Sequence, residues 1–266
     1  MDLQLTAKRA LITGGSKGIG KAVARLLLRE GAQVVIASRE AAPRDAAVRE
    51  LAAETGGRIS GVAVDTTDDA SVRAMVAGAV AAMGGVDILV NSAAKAAGHA
   101  PPPKLADSTS ALFAEEMNTK VMGYLRCARE AAPHMAKQGW GRIINVSGLA
   151  ARQTGSAIGS MRNIAVAAMT KNLAEELGPQ GINVTCVHPG LTRTERTAGT
   201  VAARAAAAGV TPAEMEKRMA AGTLIGRIVD ADEVAVLIAF LASPLSVAIT
   251  GDAIACGGGA KGSIHY

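Results

Sequence analysis

Thr13-Gly14-Gly15-Ser16-Lys17-Gly18-Ile19-Gly20 is the stretch best equipped for chemistry, because its main chain can hold a diphosphate. It follows a short apolar run, Ala10-Leu11-Ile12, and opens a helical pattern of Ile19, Val23, Leu26 and Leu27. A strand, a glycine turn and a helix start gather unpaired backbone N–H groups at the positive end of a helix dipole, which suits an anion. Gly14, Gly18 and Gly20 keep such a turn tight and let a ligand approach the backbone, with Ser16, Lys17 and Ile19 beside them. A glycine turn that merely joins strand to helix looks the same locally, so the elements around it have to decide.

Those elements alternate almost from end to end. Candidate strands are Lys8–Thr13, Gln33–Ser38, Ile59–Val64, Asp87–Asn91, Gly141–Ser147, Ile182–His188 and Ala253–Ala255. Helical patterns lie between them, notably Ser71–Met83, Thr109–Lys137, Ser156–Leu177 and Asp232–Leu241. Continuous Val/Ile/Leu runs, each followed by a helix, predict an α/β fold: a doubly wound parallel sheet (a Rossmann fold) with helices on both faces. No Pro-, Gly- or Ser-rich linker divides the chain, so residues 1–266 read as a single dinucleotide-binding domain. Lys95–Lys104, with Pro101-Pro102-Pro103, reads as a loop, and Leu191–Gly222 as a long irregular insertion, the substrate lid. Both follow carboxyl ends of strands, where ligands bind in open α/β sheets.

Composition narrows the classes further. At 266 residues the chain can bury a large core, which must rest on Ala, Val, Leu, Ile and Met because aromatic residues make up only 2%. The net charge is +5, but Lys and Arg are dispersed without interleaved aromatics, which argues against a nucleic-acid partner. No apolar run is long enough to cross a bilayer, and Met1–Lys8 is too short and polar to read as a signal peptide. Cys127, Cys186 and Cys256 are widely spaced and form neither a disulfide framework nor a metal-ligand cluster, so no metal is expected and a cytoplasmic location is.

Several short motifs, in order, carry a resemblance. Asp65 follows the third strand, Asn91-Ser92-Ala93-Ala94 the fourth, and Asn118 lies in the long helix; Asn145-Val146-Ser147 ends the fifth strand, Pro189-Gly190 follows the sixth, and Ile249-Thr250-Gly251 precedes the last. Together with Thr13–Gly20 they make the chain resemble the single-domain short-chain dehydrogenase/reductases over essentially its whole length. That resemblance implies that Asp65, with Thr66, holds the adenine edge and that Asn91 and Ala93 line the adenosine side. It implies that Pro189-Gly190-Leu191-Thr192 cups the nicotinamide. Cofactor choice has a physical argument: an acidic residue at the end of the second strand would bond the ribose hydroxyls of NAD and repel a 2′-phosphate. Here the position reads Ser38-Arg39, a neutral hydroxyl and a guanidinium fork, with Lys17 as a second cation, which favours NADP(H) over NAD(H).

The catalytic positions depart from the family. Its members use a Ser and a Tyr on the substrate oxygen, a Lys four residues after the Tyr, and an upstream Asn. Asn118 and Ser147 match in position, whereas thirteen residues beyond Ser147 stands Ser160 and four further Ile164. The only tyrosines are Tyr124 and Tyr266, and no Lys occurs between Lys137 and Lys171. General acid–base catalysis contributes roughly a hundred- to ten-thousand-fold, so the loss slows carbonyl reduction without abolishing cofactor binding. The expected catalytic set is therefore Asn118, Ser147 and Ser160, the last as a weak donor in place of the Tyr.

Other groups compete for the proton-transfer role. His188 ends the sixth strand with a suitable intrinsic pKa, although a structural hydrogen-bonding histidine is the commoner case. Arg152, Arg162, Arg193 and Arg196 flank the expected pocket or lie in the lid, as solvated charges or as anchors for an acidic substrate. The leading expectation is a divergent NADP(H)-dependent oxidoreductase acting on a small-molecule carbonyl or alcohol. The alternatives are a catalytically impaired NADP(H)-binding sensor or partner subunit, and a non-redox enzyme on the same scaffold. By analogy with relatives, the long helices and a tail ending at Tyr266 predict a homo-oligomer, a tetramer or a dimer.

Overall fold

In strand β1 (Arg9–Thr13), Ala10 and Ile12 pack on one side of a sheet and Leu11 on the other, so both faces must be covered by apolar elements. A computed structural model describes residues 1–94 and 103–261. The chain runs on through α1 (Gly18–Arg29), β2 (Gln33–Ser38), α2 (Ala41–Thr55), β3 (Ile59–Ala63), α3 (Asp69–Met83) and β4 (Ile88–Asn91). Helix α4 (Ser110–Glu116), a π-helical turn (Met117–Met122) and α5 (Gly123–Lys137) lead to β5 (Gly141–Val146). Helix α6 (Ala157–Leu177), β6 (Ile182–Pro189), β7 (Thr192–Arg193), α7 (Thr197–Ala208) and α8 (Pro212–Ala220) follow. Strand β8 (Val229–Asp230), α9 (Ala231–Ala242) and β9 (Ala253–Cys256) complete the described strands and α-helices.

Seven strands form one parallel sheet in the order β3-β2-β1-β4-β5-β6-β9. One apolar layer joins α1, α2 and α9 to the sheet, and the other joins α3, α5 and α6. This is the doubly wound arrangement expected from the strand–helix alternation. The order reverses between β1 and β4, where Thr13 pairs with Asn91, and the two crossovers leave a crevice beyond those strand ends. Among the described residues, no helix is long and apolar enough to cross a membrane.

Two sequence expectations change. The Thr109–Lys137 pattern is not one helix: Thr109 caps α4 by accepting from the Leu112 N–H, and the π-helical turn separates α4 from α5. The irregular reading of Leu191–Gly222 gives way to two short helices, because Ala-rich α7 buries Val201 and Ala205 and Thr211 caps α8. The sequence pattern also does not single out α2, which buries only Ala47 and Leu51. The Lys95–Lys104 loop lies outside the described residues from 95 to 102, and the tail ending at Tyr266 lies outside them from 262 on.

Candidate active site

A cleft of about 800 Å³ opens at the switch point between β1 and β4. One end of it is built from the turn between β1 and α1. Gly14 has φ +69°, and a Cβ there would stand 2.7 Å from the Ser92 carbonyl oxygen. At Gly20 a Cβ would stand 2.4 Å from the Gly14 oxygen, so Gly20 keeps the turn closed without lining the cleft itself. Gly14, Ser16, Lys17, Gly18 and Ile19 all line the cleft. The Gly18 N–H donates to both carboxylate oxygens of Glu195, at 3.0 and 3.1 Å. That amide, at the start of α1, already accommodates an anionic group, which is the fit a diphosphate requires.

Ser38 and Arg39 line the cleft just past β2, with Glu40 and Lys17 3.6 Å apart beside them. The Ser38 hydroxyl donates to the Glu40 carbonyl. Asp65 and Thr66 line the next part of the wall. The Asp65 carboxylate accepts from the Thr67 N–H and hydroxyl, and these bonds, with Arg39 and Arg126 nearby, hold it below the usual aspartate range. Ala93 lines the cleft, but Asn91 sits beneath it, fully buried, donating to Asn145 Oδ1 at 2.9 Å. Asn91 therefore underlies the cleft without lining it. On the far wall Pro189, Gly190, Leu191 and Thr192 all face the cleft, the Thr192 hydroxyl donating to the Gly190 carbonyl.

Of the expected catalytic set, the cleft is lined by Ser147 and not by Asn118 or Ser160. Ser147 lines the cleft, buried, but its hydroxyl donates to the Asn163 backbone carbonyl at 3.0 Å. Asn118 does not line the cleft; its carbonyl accepts from Arg126, and Lys120, two residues on, takes the inward position. Ser160 does not line it either, and donates to the Gln153 carbonyl at 3.1 Å. Ile164 is 51% exposed. The buried face of α6 carries Ile158, Asn163, Val166, Thr170, Ala174 and Leu177, so α6 delivers Asn163 to the cleft from its buried face, with Arg162 beside it. The residue four before it, on the same helix, is Gly159.

Sequence reasoning missed Lys120, Asn163 and Tyr124 as cleft residues. Lys120 Nζ donates to the Ser147 carbonyl at 2.8 Å and to Asn163 Oδ1 at 3.2 Å. Burial, with the Arg162 charge nearby, lowers its pKa to about 7 against the opposing effects of Cys186 and Glu116. Tyr124 donates its hydroxyl to the Val146 carbonyl at 2.9 Å, and burial pushes that phenol far above its usual range. His188 is buried at the end of β6 and does not line the cleft; its Nδ1 accepts from the Gly148 N–H at 3.4 Å.

The arginines divide. Arg162 lines the cleft and is paired with Glu116. Arg196 and Arg204 line it from the segment after β6. Arg193 ties that segment down through Glu216 at 2.5 Å and Asp230 at 3.1 Å. Arg152 donates to the Ala253 carbonyl. Among the described residues no cluster of His, Cys, Asp and Glu has the makings of a metal site.

Comparison with known proteins finds the pattern of the family described as enoyl-(acyl carrier protein) reductase over residues 14–261. A cis-4-hydroxycyclohexanecarboxylate dehydrogenase of Sinomonas cyclohexanicum is 35% identical over 252 residues, covering 94% of this chain and 95% of that one. The 3-oxoacyl-[acyl-carrier-protein] reductase of Aquifex aeolicus is 30% identical, covering 97% and 99%. Among solved structures, L-sorbose reductase from Gluconobacter frateurii, complexed with NADPH and L-sorbose, superposes with a TM-score of 0.93 at 29% identity. That match covers 99% of this chain and 100% of the other.

Proposed function

The chain belongs to the short-chain dehydrogenase/reductase family of NAD(P)-dependent oxidoreductases, and from that premise we propose that it interconverts a carbonyl and an alcohol with NADP(H). One observation carries the reading: the Gly14–Gly18 turn, Arg39 and the Pro189–Thr192 wall line one continuous cleft at the sheet's switch point. Helix α1 and the turn amides would hold the diphosphate, Arg39 and Lys17 the 2′-phosphate, and Asp65 the adenine edge. When bound, the cofactor supplies or accepts a hydride at the nicotinamide. This chain's residues orient it and shape the substrate space beside Ser147, Arg162 and Asn163. The relatives' names, which cite hydroxy and oxo compounds and L-sorbose, support a small polar alcohol or ketone as the substrate class.

Residues 191–222, with α7 and α8, act in this reading as the lid of a single dinucleotide-binding domain. Phe113, Met122, Met161 and Ile164, exposed on α4, the π-helical turn and α6, support a homo-oligomer assembled through that side. The three unpaired cysteines support a reducing, cytoplasmic setting.

A second reading, an NADP(H)-binding protein without turnover, is favoured by one observation. Both hydroxyls that line the reaction end, on Ser147 and Tyr124, donate to backbone carbonyls. The test is a fluorescence titration with NADPH and NADH, followed by cofactor oxidation at 340 nm against a panel of ketones, ketoses and 3-oxo esters. NADPH binding with oxidation by a panel member is expected. Binding without oxidation anywhere in the panel would hand the site to the second reading, and failure to bind NADPH would overturn both.

A further inference from the structure

We propose that Lys120 is the proton store of the reaction end, its Nζ giving a proton to the substrate oxygen on reduction and taking it back on oxidation. The proposal rests on the NADP(H) reading above. It begins with placement. Lys120 is 4% exposed, on the π-helical turn, and lines the cleft together with Ser147, Gly148 and Asn163. An ammonium has three donors, and the Ser147 carbonyl and Asn163 Oδ1 take two of them, which leaves one N–H for a group in the cleft.

The other groups around it are ill suited to the same work. Tyr124, from α5, has its hydroxyl on the Val146 carbonyl. Cys186, from β6, is buried with its thiol pushed up to about 12, and it lies 3.9 Å from His188 Nδ1, which accepts from Gly148. Glu116, at the end of α4, is paired with Arg162 of α6, whose Nε also reaches Asn163 Oδ1 at 3.4 Å. Among the described residues, these are the charged and titratable groups that face Lys120 from α4, α5, α6 and β6. Burial and the Arg162 charge work against its ammonium form, while Glu116 and Cys186 favour it, which leaves the amine able to change state near neutral pH.

The step balances simply. On reduction the substrate carbon gains the hydride supplied by NADPH, and the carbonyl π pair moves onto oxygen. That oxygen takes one proton from the Lys120 ammonium, leaving an alcohol, NADP⁺ and a neutral amine. Water reprotonates the amine before the next turnover, and oxidation runs the same steps backwards.

The test reads the amine directly. The Lys120 Cε and Nζ resonances are followed by NMR against pH in the free protein and in its NADPH and NADP⁺ complexes, assigned by their loss in Lys120→Arg. A midpoint about 7 is expected in the free protein. The midpoint is expected to lie lower with NADP⁺ than with NADPH, by roughly one unit, because the oxidised nicotinamide ring is cationic and repels an ammonium beside it. A midpoint in the ordinary lysine range, or equal midpoints in the two complexes, would overturn the proposal and leave NADP(H) binding untouched. Failure of both nucleotides to bind, seen by fluorescence, would instead remove the functional reading and the proposal with it. With a panel substrate that supports turnover, Lys120→Arg keeps the charge but loses the neutral form, so its reduction rate is expected to fall about a hundredfold or more. Its pH profile is expected to lose the limb about pH 7. A variant with wild-type rate and profile would also overturn the role.

Discussion

Where we propose that the dinucleotide binds, the cleft is lined by a glycine turn with its main-chain amides and by one guanidinium just past a strand end. At the proposed reaction end the cleft carries an amine and an amide, delivered by a π-helical turn and by α6, 3.2 Å apart. The first kind of site needs backbone shape, and shape leaves a mark in sequence as glycine spacing. The second needs helix phase, and phase depends on irregularities that composition and spacing do not reveal. The two ends should therefore fail in different ways when altered.

The largest effect is expected from Gly14→Val. The residue sits at φ +69°, and a Cβ would stand 2.7 Å from the Ser92 oxygen, backbone that cannot move aside. The turn must open to accept it, so NADPH affinity is expected to fall by more than about a hundredfold, with a lowered Tm. Calorimetric titration with NADPH checks this, and near-normal affinity would show that the turn is not the diphosphate seat. Next comes Arg39→Glu, which removes a charge-assisted contact and places a carboxylate near the 2′-phosphate. The loss is expected to be about 2–3 kcal/mol, near a hundredfold in NADPH affinity, while NADH affinity holds or improves. An equal loss for both nucleotides would mean that Arg39 does not read the phosphate.

The reaction end has its own signature, in stability rather than affinity. Lys120 titrates about pH 7 in the folded protein, below the range of a lysine in the unfolded chain. Between those two values the unfolded state holds one more proton than the folded state, so stability rises with pH there, by at most about 1.4 kcal/mol per unit, and levels off above and below. Urea denaturation at pH 7, 8 and 9 is expected to show that rise in the wild type and a flatter profile in Lys120→Met. Parallel profiles would mean that Lys120 keeps an ordinary pKa, and the contrast between the two ends would lose its chemical basis.

The same contrast explains what the sequence made legible. The sheet, its order-reversing crevice, the glycine turn, Ser38-Arg39 and the Pro189–Thr192 wall follow from strand runs and from residues whose backbone role is fixed by type. Ser160 falls away from the cleft because counting forward from Ser147 ignores which face of α6 is buried. The buried stripe of Leu177, Ala174, Thr170 and Val166, extended back by one step, reaches Asn163 and not Ser160 or Ile164. In α5 the stripe of Met135, Ala131, Cys127 and Tyr124, extended back by four residues, reaches Lys120 and bypasses Asn118. A lone lysine at a buried position was the available signal. The π-helical turn that seats it has no marker in composition.

The smallest effect tests the border between the turn and the lid. Glu195, just beyond β7, places its carboxylate on the Gly18 N–H, the amide a diphosphate would use. A bound dinucleotide must displace that carboxylate or sit beside it, and either arrangement opposes binding through lost hydrogen bonds and like charge. Glu195→Ala is therefore expected to tighten NADPH binding by about three- to tenfold, corresponding to roughly 0.6–1.4 kcal/mol. The gain should shrink in high salt, because the groups lie at the exposed rim of the cleft and screening weakens their repulsion. Weaker binding in the variant would mean that Glu195 holds the segment after β6 in its binding-ready position. The turn would then depend on the lid for its shape, and the division between a backbone-built end and a side-chain-built end would break at Gly18.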